Sequence, residues 1–187
     1  MIGASRGGLK AVQTLLEGLP ANFPLPLAMV LHRQKEADDL LQPALQKHSL
    51  LPVSEVLDKE IIQPGHVYIA PADYHLLVEK TYFSLSTDEP VLYARPSIDV
   101  LFESAADVFG ESVIGVVLTG ASQDGAHGAV QIQRRGGTVI VQDPTTAESS
   151  IMPAAALSAT KTLYVKPLEK IAPLLLQITA DLTKAKP

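Results

Sequence analysis

Gly3-Ala4-Ser5-Arg6-Gly7-Gly8 follows two apolar residues and decides how the rest of the chain is interpreted. The stretch predicts a short strand, a tight glycine turn that carries a serine, and then a helix. Its Gly-x-Ser-x-Gly pattern is typical of the nucleophile turn of serine hydrolases. It is also close to the glycine-rich phosphate loops of dinucleotide-binding folds. The stretch alone leaves both functions open, beside a third in which Ser5 only caps a helix.

The composition excludes several classes of function. The chain has 187 residues, enough for one domain with a substantial core, and 47% of them are apolar. No apolar run reaches the roughly 20 residues of a membrane helix, and no signal peptide is visible, so we expect a cytoplasmic protein without membrane insertion. The absence of cysteine excludes thiolate metal sites and cysteine nucleophiles. A net charge of −5 without a basic stripe argues against a nucleic-acid partner.

Apolar strand patterns alternate with amphipathic helix patterns along the whole chain, without a linker between them. The predicted strands cover residues 27–31, 53–56, 67–70, 113–118, 138–141 and 164–165. The predicted helices cover residues 9–19, 40–45 with Asp38 or Asp39 as the cap, 98–105, 124–135, 153–158 and 167–182. This alternation predicts an α/β fold, a doubly wound and mostly parallel sheet with helices on both faces. Residues 74–79 and 82–86 predict an antiparallel β-hairpin.

Three polar residues follow predicted strands and are expected to meet at one edge of the sheet. Ser5 follows the first strand, His32 ends the second, and Asp124 lies in the loop after residues 113–118. Ligands of such sheets bind beyond the carboxyl ends of the strands. We therefore predict a nucleophile, a base and an orienting carboxylate at this edge, with Asp143, which also follows a strand, as the reserve for the third.

Each of the three residues also has a simpler interpretation. Ser5 and Asp124 are residue types that cap helices, and a lone histidine at a strand end often binds a backbone carbonyl. None of the other histidines follows a strand as His32 does: His48, His66, His75 and His127. Asp99 and Glu103 are predicted to lie on a solvated or ion-paired helix face.

Six stretches, in order along the chain, resemble one family, the catalytic domain of CheB-type chemotaxis protein-glutamate methylesterases. The stretches are Ile2-Gly3-Ala4-Ser5 with Gly7-Gly8; Val30-Leu31-His32; Ile69-Ala70-Pro71-Ala72-Asp73-Tyr74-His75-Leu76; Arg95-Pro96-Ser97-Ile98-Asp99-Val100-Leu101-Phe102; Leu118-Thr119-Gly120 with Asp124-Gly125-Ala126; and Gln142-Asp143-Pro144 followed by Met152-Pro153. The resemblance covers the chain as a single catalytic domain over residues 1–187, and the receiver domain that usually precedes it in the family is not in this chain.

The resemblance implies a reaction and its partners. Ser5 corresponds to the nucleophile, His32 to the general base and Asp124 to the residue that orients it. The implied reaction is hydrolysis of glutamate methyl esters on the cytoplasmic helices of chemoreceptors, with deamidation of receptor glutamines as a second activity. No metal or organic cofactor is implied. We expect a monomer, with a receiver domain or a methyltransferase as a further partner in trans.

Three further residues are lower-ranked candidates for the oxyanion and substrate sites. The amide of Arg6 and an amide of residues 120–122, around Ala121, are expected to stabilise the oxyanion. The family usually has a small or hydroxyl residue at position 6 and Met-Gly-Asn at 121–123, where this chain has Ala121-Ser122-Gln123. Arg95 is interpreted as a ligand for a substrate carboxylate or, preferably, as a support of the site through Asp99.

Two other functions stay in view beside the esterase. Short-chain dehydrogenases share a Gly-Ala-Ser-Arg-Gly stretch but need a Tyr followed four residues later by Lys, a pair that this sequence lacks. An ordinary α/β-hydrolase is disfavoured because its residues run in the order serine, acid, histidine. The remaining alternative is a non-catalytic receptor-binding or scaffolding module of the same fold.

Overall fold

The computed structural model of the chain describes residues 1–32 and 40–184. Nine strands are described: β1 Ile2–Ala4, β2 Leu27–Leu31, β3 Val53–Glu55, β4 Val67–Ile69, β5 His75–Val78, β6 Phe83–Ser86, β7 Ile114–Val117, β8 Thr138–Gln142 and β9 Tyr164–Lys166. The described α-helices are α1 Gly8–Glu17, α2 Leu41–Gln46, α3 Ile98–Phe109, α4 Ala126–Arg134, α5 Ile151–Thr160 and α6 Ile171–Lys184. Asp38 and Asp39, the predicted caps of α2, lie outside the described residues.

Seven strands form one parallel sheet in the order β3-β4-β2-β1-β7-β8-β9. β5 and β6 form a separate antiparallel pair in which Val78 lies opposite Phe83. The predicted doubly wound sheet and the predicted hairpin are both confirmed.

Helices cover both faces of the sheet, and alternate residues of each strand point into opposite cores. In β2, Leu27, Met29 and Leu31 pack with apolar residues of α1, α2 and α6. Ala28 and Val30, on the other face of β2, pack with α3, α4, α5 and the β5–β6 pair. Because the strands are buried on both faces, their sequences are continuously apolar, the pattern from which a parallel sheet was predicted.

The central strand β1 has β2 on one side and β7 on the other. The chain winds first toward β2 and later returns to β7, so the topological switch point lies beside β1. Doubly wound sheets bind their ligands in the crevice at this point, outside the carboxyl ends of the strands. The residues that follow β1, β2 and β7 are therefore placed by the topology around one crevice.

Two helices begin later than the sequence predicted. α6 begins at Ile171, after a 3-10 turn over Leu168–Lys170, rather than at position 167. α4 begins at Ala126 rather than at Asp124, because Gly125 before it has a left-handed conformation with φ 95°. None of the described helices has the length and apolar character needed to cross a membrane.

Candidate active site

The serine turn between β1 and α1 is tight and depends on glycine. The Gly8 amide donates to the Ser5 carbonyl at 2.7 Å, which closes a turn over four residues. Gly7 has φ 74° and ψ −2°, left-handed values that glycine adopts without steric cost. A Cβ at Gly7 would also lie 2.8 Å from the Cβ of Glu148. This conformation holds Ser5 at the carboxyl end of β1.

Thr119 lies just after the neighbouring strand β7 and holds the serine turn through two hydrogen bonds. Its carbonyl accepts the Ser5 amide at 2.9 Å, and its hydroxyl donates to the Arg6 carbonyl at 2.9 Å. The Thr119 amide is held in turn by the Gln142 side-chain oxygen at 2.9 Å. Next to it, a Cβ on Gly120 would lie 2.9 Å from the Cβ of Ser5. The turn that carries Ser5 is therefore closely packed against the loop after β7.

His32 lies beside the serine turn and is hydrogen-bonded to Asp124. The His32 amide donates to the Ala4 carbonyl at 3.0 Å, which continues the parallel pairing of β1 and β2 past the end of β2. The His32 Nε2 and the Asp124 Oδ2 are 2.8 Å apart. With Nε2 bound to the carboxylate, Nδ1 is the ring nitrogen left for a second partner. The predicted contact between a strand-end histidine and this carboxylate is present in the structure.

Asp124 is fully buried and accepts hydrogen bonds from the start of α3. Its Oδ1 accepts the Ser97 hydroxyl at 2.8 Å and the Asp99 amide at 3.0 Å, and its Oδ2 accepts the Ile98 amide at 2.7 Å. Burial raises the pKa of Asp124, but the hydrogen bonds from His32 and from the Asp99 and Ile98 amides outweigh it and hold the pKa below its ordinary value. Asp124 is thus an anion beside His32 at neutral pH.

A cleft of about 610 Å³ opens at this edge of the sheet, and both Ser5 and His32 line it. Its walls come from the start of α1, from the segment around α2, and from Glu148 across the serine turn. Lys10 and Gln13 of α1 and Leu40 before α2 add charged, polar and apolar groups to the lining. The serine and the histidine are thus accessible from one cleft that has room for an extended side chain.

The two amides proposed for the oxyanion have no competing acceptor among the described residues. Within that part of the chain, neither the Arg6 amide nor the Ala121 amide donates a hydrogen bond, whereas the Gly120 amide donates to the Ser149 carbonyl at 3.1 Å. The side chains of Arg6 and Ala121 are exposed. Of residues 120–122, Gly120 is therefore the one whose amide is already engaged in a hydrogen bond within the described part of the chain.

Arg95 does not support the site through Asp99, and that interpretation was wrong. Its guanidinium binds the Asp73 carboxylate at 3.0 Å and the carbonyls of Thr87 and Asp88 at 2.8 and 3.1 Å. Asp99 uses its own carboxylate on the amides of Gly125 and Gly128 instead. The guanidinium of Arg95 is therefore held by Asp73 and by the exposed loop at Thr87 and Asp88.

Of the two carboxylates predicted on a solvated or ion-paired face of α3, Asp99 differs from expectation and Glu103 agrees with it. Asp99 is buried rather than on a solvated helix face, while Glu103 is paired with His127 at 2.6 Å, as an ion-paired face would be. The reserve candidate Asp143 binds the Thr145 amide at 2.9 Å and the Thr145 hydroxyl at 2.8 Å. Asp124 is the carboxylate that contacts His32.

Sequence reasoning missed Ser97 as a member of the site. Ser97 stands directly before the helix predicted over residues 98–105, and the structure shows that its hydroxyl donates to Asp124. The signal was present, because the amides at a helix N-terminus attract a carboxylate. No local pattern indicates which of the chain's carboxylates binds there.

Comparisons with known proteins identify the family of the chain. The family model described as CheB methylesterase matches residues 1–175. A putative protein-glutamate methylesterase/protein-glutamine glutaminase of Leptospira interrogans is 46% identical over 179 residues, which cover 95% of this chain and 93% of that protein. The protein-glutamate methylesterase/protein-glutamine glutaminase of Thermotoga maritima is 35% identical, and the chain spans 53% of its length. The crystal structure of the Thermotoga maritima CheB methylesterase catalytic domain matches with a TM-score of 0.91 at 35% identity, over 95% of this chain and 96% of that one.

The fold and the site together define a doubly wound α/β protein with a serine and a histidine–aspartate pair at its topological switch point. The chain belongs to the CheB methylesterase family. The family resemblance inferred from the six motifs is confirmed. The relatives carry the name of hydrolases with two activities, on glutamate esters and on glutamine amides.

Proposed function

We propose that this protein hydrolyses methyl esters of glutamate side chains in chemoreceptors and deamidates receptor glutamines, with Ser5 as the nucleophile. The observation that carries the proposal is the 2.8 Å contact between His32 and the buried Asp124, in a cleft that Ser5 also lines. The names of the relatives supply the substrate, which a serine and a histidine alone do not identify.

The first half of the reaction forms an acyl-enzyme. The Ser5 oxygen attacks the ester carbonyl carbon while its proton moves to the free Nδ1 of His32. The tetrahedral intermediate then collapses: the bond to the methoxy oxygen breaks, that oxygen takes the proton from His32, and methanol leaves. The product of this half is a glutamyl ester of Ser5.

Asp124 makes the base effective in two ways. It binds the Nε2–H of His32, which fixes the ring orientation and leaves Nδ1 unprotonated and able to accept the serine proton. Its negative charge also stabilises the imidazolium that forms when the proton arrives. The Ser97 hydroxyl and the α3 amides hold this carboxylate in place.

The negative charge on the substrate oxygen needs donors that are aimed before the reaction begins. We assign the Arg6 and Ala121 amides to this role, since both are free of other acceptors in the described part of the chain. Backbone donors do not depend on side-chain identity, so the unusual Ala121-Ser122-Gln123 loop is compatible with turnover.

The second half of the reaction returns the enzyme to its starting state. Water gives a proton to His32 and attacks the acyl carbon, and Ser5 leaves with the proton that His32 returns. The product is a glutamate side chain. Deamidation follows the same steps with ammonia as the first leaving group.

The partner that fits this chemistry is a cytoplasmic receptor helix. We propose that the chain acts as a single catalytic domain and as a monomer in the cytoplasm, with a receiver domain or a methyltransferase acting on it in trans. The exposed Arg6 side chain lies at the serine turn and Lys10 lines the cleft. Both cations are available to carboxylates beside the target glutamate.

The experiment that tests the proposed function measures methanol and ammonia release from chemoreceptor membranes that carry labelled methyl groups. The parent protein should release both products, and Ser5→Ala should lower the rate by roughly three orders of magnitude or more. Ser158→Ala, an exposed serine on α5, is the matched control and should keep the parent rate. An unchanged rate in Ser5→Ala would contradict the assignment of the nucleophile. Binding of receptor without release by the parent would favour a receptor-binding module.

A further inference from the structure

Asp99 is a buried carboxylate that the proposed mechanism does not use. It lies in the first turn of α3 and is only 5% exposed. Its Oδ1 accepts the Gly125 amide at 2.9 Å and the Gly128 amide at 2.7 Å. These amides belong to the start of α4, directly after Asp124.

Asp99 and Asp124 link α3 and α4 through reciprocal hydrogen bonds. Asp124 accepts the Ile98 and Asp99 amides at the start of α3, and Asp99 accepts the Gly125 and Gly128 amides at the start of α4. Asp124, which precedes α4, therefore lies at the positive end of α3, and Asp99, which belongs to α3, lies at the positive end of α4. The exchange ties the loop that carries Asp124 to α3, and it brings two carboxylates close together in a buried place.

We propose that Asp99 is a positioning residue for ester hydrolysis that acts on His32 through Asp124. The inference rests on the proposed function of this site. Asp99 fixes the backbone that follows Asp124, and so the direction from which Asp124 meets His32. Its charge adds a second anion behind Asp124, which favours the protonated imidazole that forms in each half of the reaction.

Asp99 is ionised above pH 7 although burial and the neighbouring carboxylates oppose its ionisation. Burial raises the pKa of Asp99, the Gly128 and Gly125 amides lower it, and the charges of Asp124 and Glu103 raise it, so that the pKa lies at about 6. Glu103, on the same helix, is paired with His127 of α4. His75 of β5 accepts the Ser97 amide at the start of α3 at 3.2 Å, and His32 lies beyond Asp124. Above pH 7, Asp99 is therefore an anion.

The variant Asp99→Asn separates the charge from the shape. An asparagine oxygen still accepts the Gly125 and Gly128 amides, but the second negative charge is lost. The test follows the ring resonances of His32 by NMR as a function of pH, with His32→Gln to assign them. We expect the midpoint of the His32 resonance shift in the variant to lie at a pH lower than in the parent by about half a unit. The acid limb of kcat/KM for methanol release should move by the same amount.

The matched control is Asp107→Asn, which removes the same charge from the solvent-exposed side of α3. Its His32 midpoint should stay at the parent value because water screens that charge. An unchanged or raised midpoint in Asp99→Asn would overturn the proposal, even if the variant were less stable, because a purely structural role predicts a loss of stability alone. If Asp99→Asn does not fold, Asp99→Ser, which keeps a capping oxygen without the charge, takes its place.

The two proposals fail in different ways. If the parent protein released no methanol, the proposed function would be wrong, while the NMR midpoint would still report on the coupling between Asp99 and His32. If methanol were released and the midpoint did not move, the esterase would stand and the role of Asp99 would be wrong.

Discussion

The serine turn is closely packed against the loop after β7, and Gly120 of that loop shows this most clearly. A Cβ at this position would lie 2.9 Å from the Cβ of Ser5 and 2.7 Å from the Met152 side chain. A methyl group therefore has no room unless Ser5 or Met152 moves. Since Ser5 is also held through its amide by Thr119, the displacement would reach the proposed nucleophile.

Gly120→Ala should lower kcat by about 100-fold, because a shift of about 1 Å in a reacting atom costs that much. It should also lower the free energy of unfolding by about 1–3 kcal/mol through overpacking. The matched control is Gly137→Ala, which meets Ile132 and the Val113 carbonyl at 2.7 and 2.8 Å, just before β8 at the opposite edge of the sheet. The control should lose stability and keep kcat, and steady-state kinetics with thermal unfolding measures both. A normal kcat in Gly120→Ala would show that Ser5 tolerates the displacement.

Asp124→Asn should keep the fold and lose most of the activity. Asparagine keeps the shape of the side chain but removes the charge that stabilises the His32 imidazolium and no longer selects the tautomer that leaves Nδ1 free. We expect kcat to fall by roughly 10³ to 10⁴-fold. Asp143→Asn is the control, since that carboxylate binds Thr145 rather than a histidine. Equal rates in the two variants would exclude Asp124 as the orienting residue.

Arg95→Met tests the corrected role of Arg95. The guanidinium joins Asp73 to the carbonyls of Thr87 and Asp88, so its loss should lower the free energy of unfolding by about 1.5–3 kcal/mol. The KM for receptor should stay within about twofold of the parent value, because Arg95 is bound within its own loop. Urea unfolding measures the change in stability, and steady-state kinetics measures KM. A large rise in KM without a loss of stability would instead indicate substrate binding.

At the scale of the elements, the contact between α3 and α4 decides where the site lies. The sequence predicted that Asp124 begins α4, since a carboxylate before a helix commonly caps it. The structure places Asp124 on the α3 amides and gives the α4 amides to Asp99. Local sequence identifies carboxylates that suit a helix N-terminus. Which helix each one meets depends on the tertiary packing of the two helices, so this exchange was not predictable.

The same contact predicts how stability depends on pH. The pKa of Asp99 rises from 3.8 to about 6 on folding, so the folded protein binds its proton more tightly than the unfolded chain does. Stability should therefore fall as pH rises from about 4 to about 6, by about 3 kcal/mol from this group. The pKa of Asp124 is lowered, so its contribution is present above 3.8 and lost only at lower pH.

Urea unfolding of the parent and of Asp99→Asn between pH 4 and pH 7 measures this effect. As the pH rises, the free energy of unfolding of Asp99→Asn should increase relative to that of the parent, because the variant has no proton to lose at this position. Parallel curves over that range would show that the pKa of Asp99 does not change on folding. Asp107→Asn serves again as the control and should run parallel to the parent.

At the scale of the whole molecule, the site is a product of the sheet topology. Ser5, His32 and Asp124 lie 27 to 119 positions apart in the sequence, and they lie at one edge of the sheet because β1, β2 and β7 are neighbouring parallel strands. The strand-end rule was enough to predict this placement, because continuous apolar strands indicate a parallel sheet and its carboxyl ends share one edge. The partners of Arg95 and the burial of Asp99 were not predictable, since both are set by contacts between loops and helices distant in sequence.

Activation of Ser5 by His32 and Asp124 is measured by the rate and position of labelling with a fluorophosphonate, which forms a stable adduct with an activated serine. We predict a single adduct on the peptide that contains Ser5, with labelling slowed by about 10³-fold or more in His32→Gln and Asp124→Asn. Labelling of another residue, or an unchanged rate at Ser5 in Asp124→Asn, would contradict the claim that Asp124 and His32 activate Ser5.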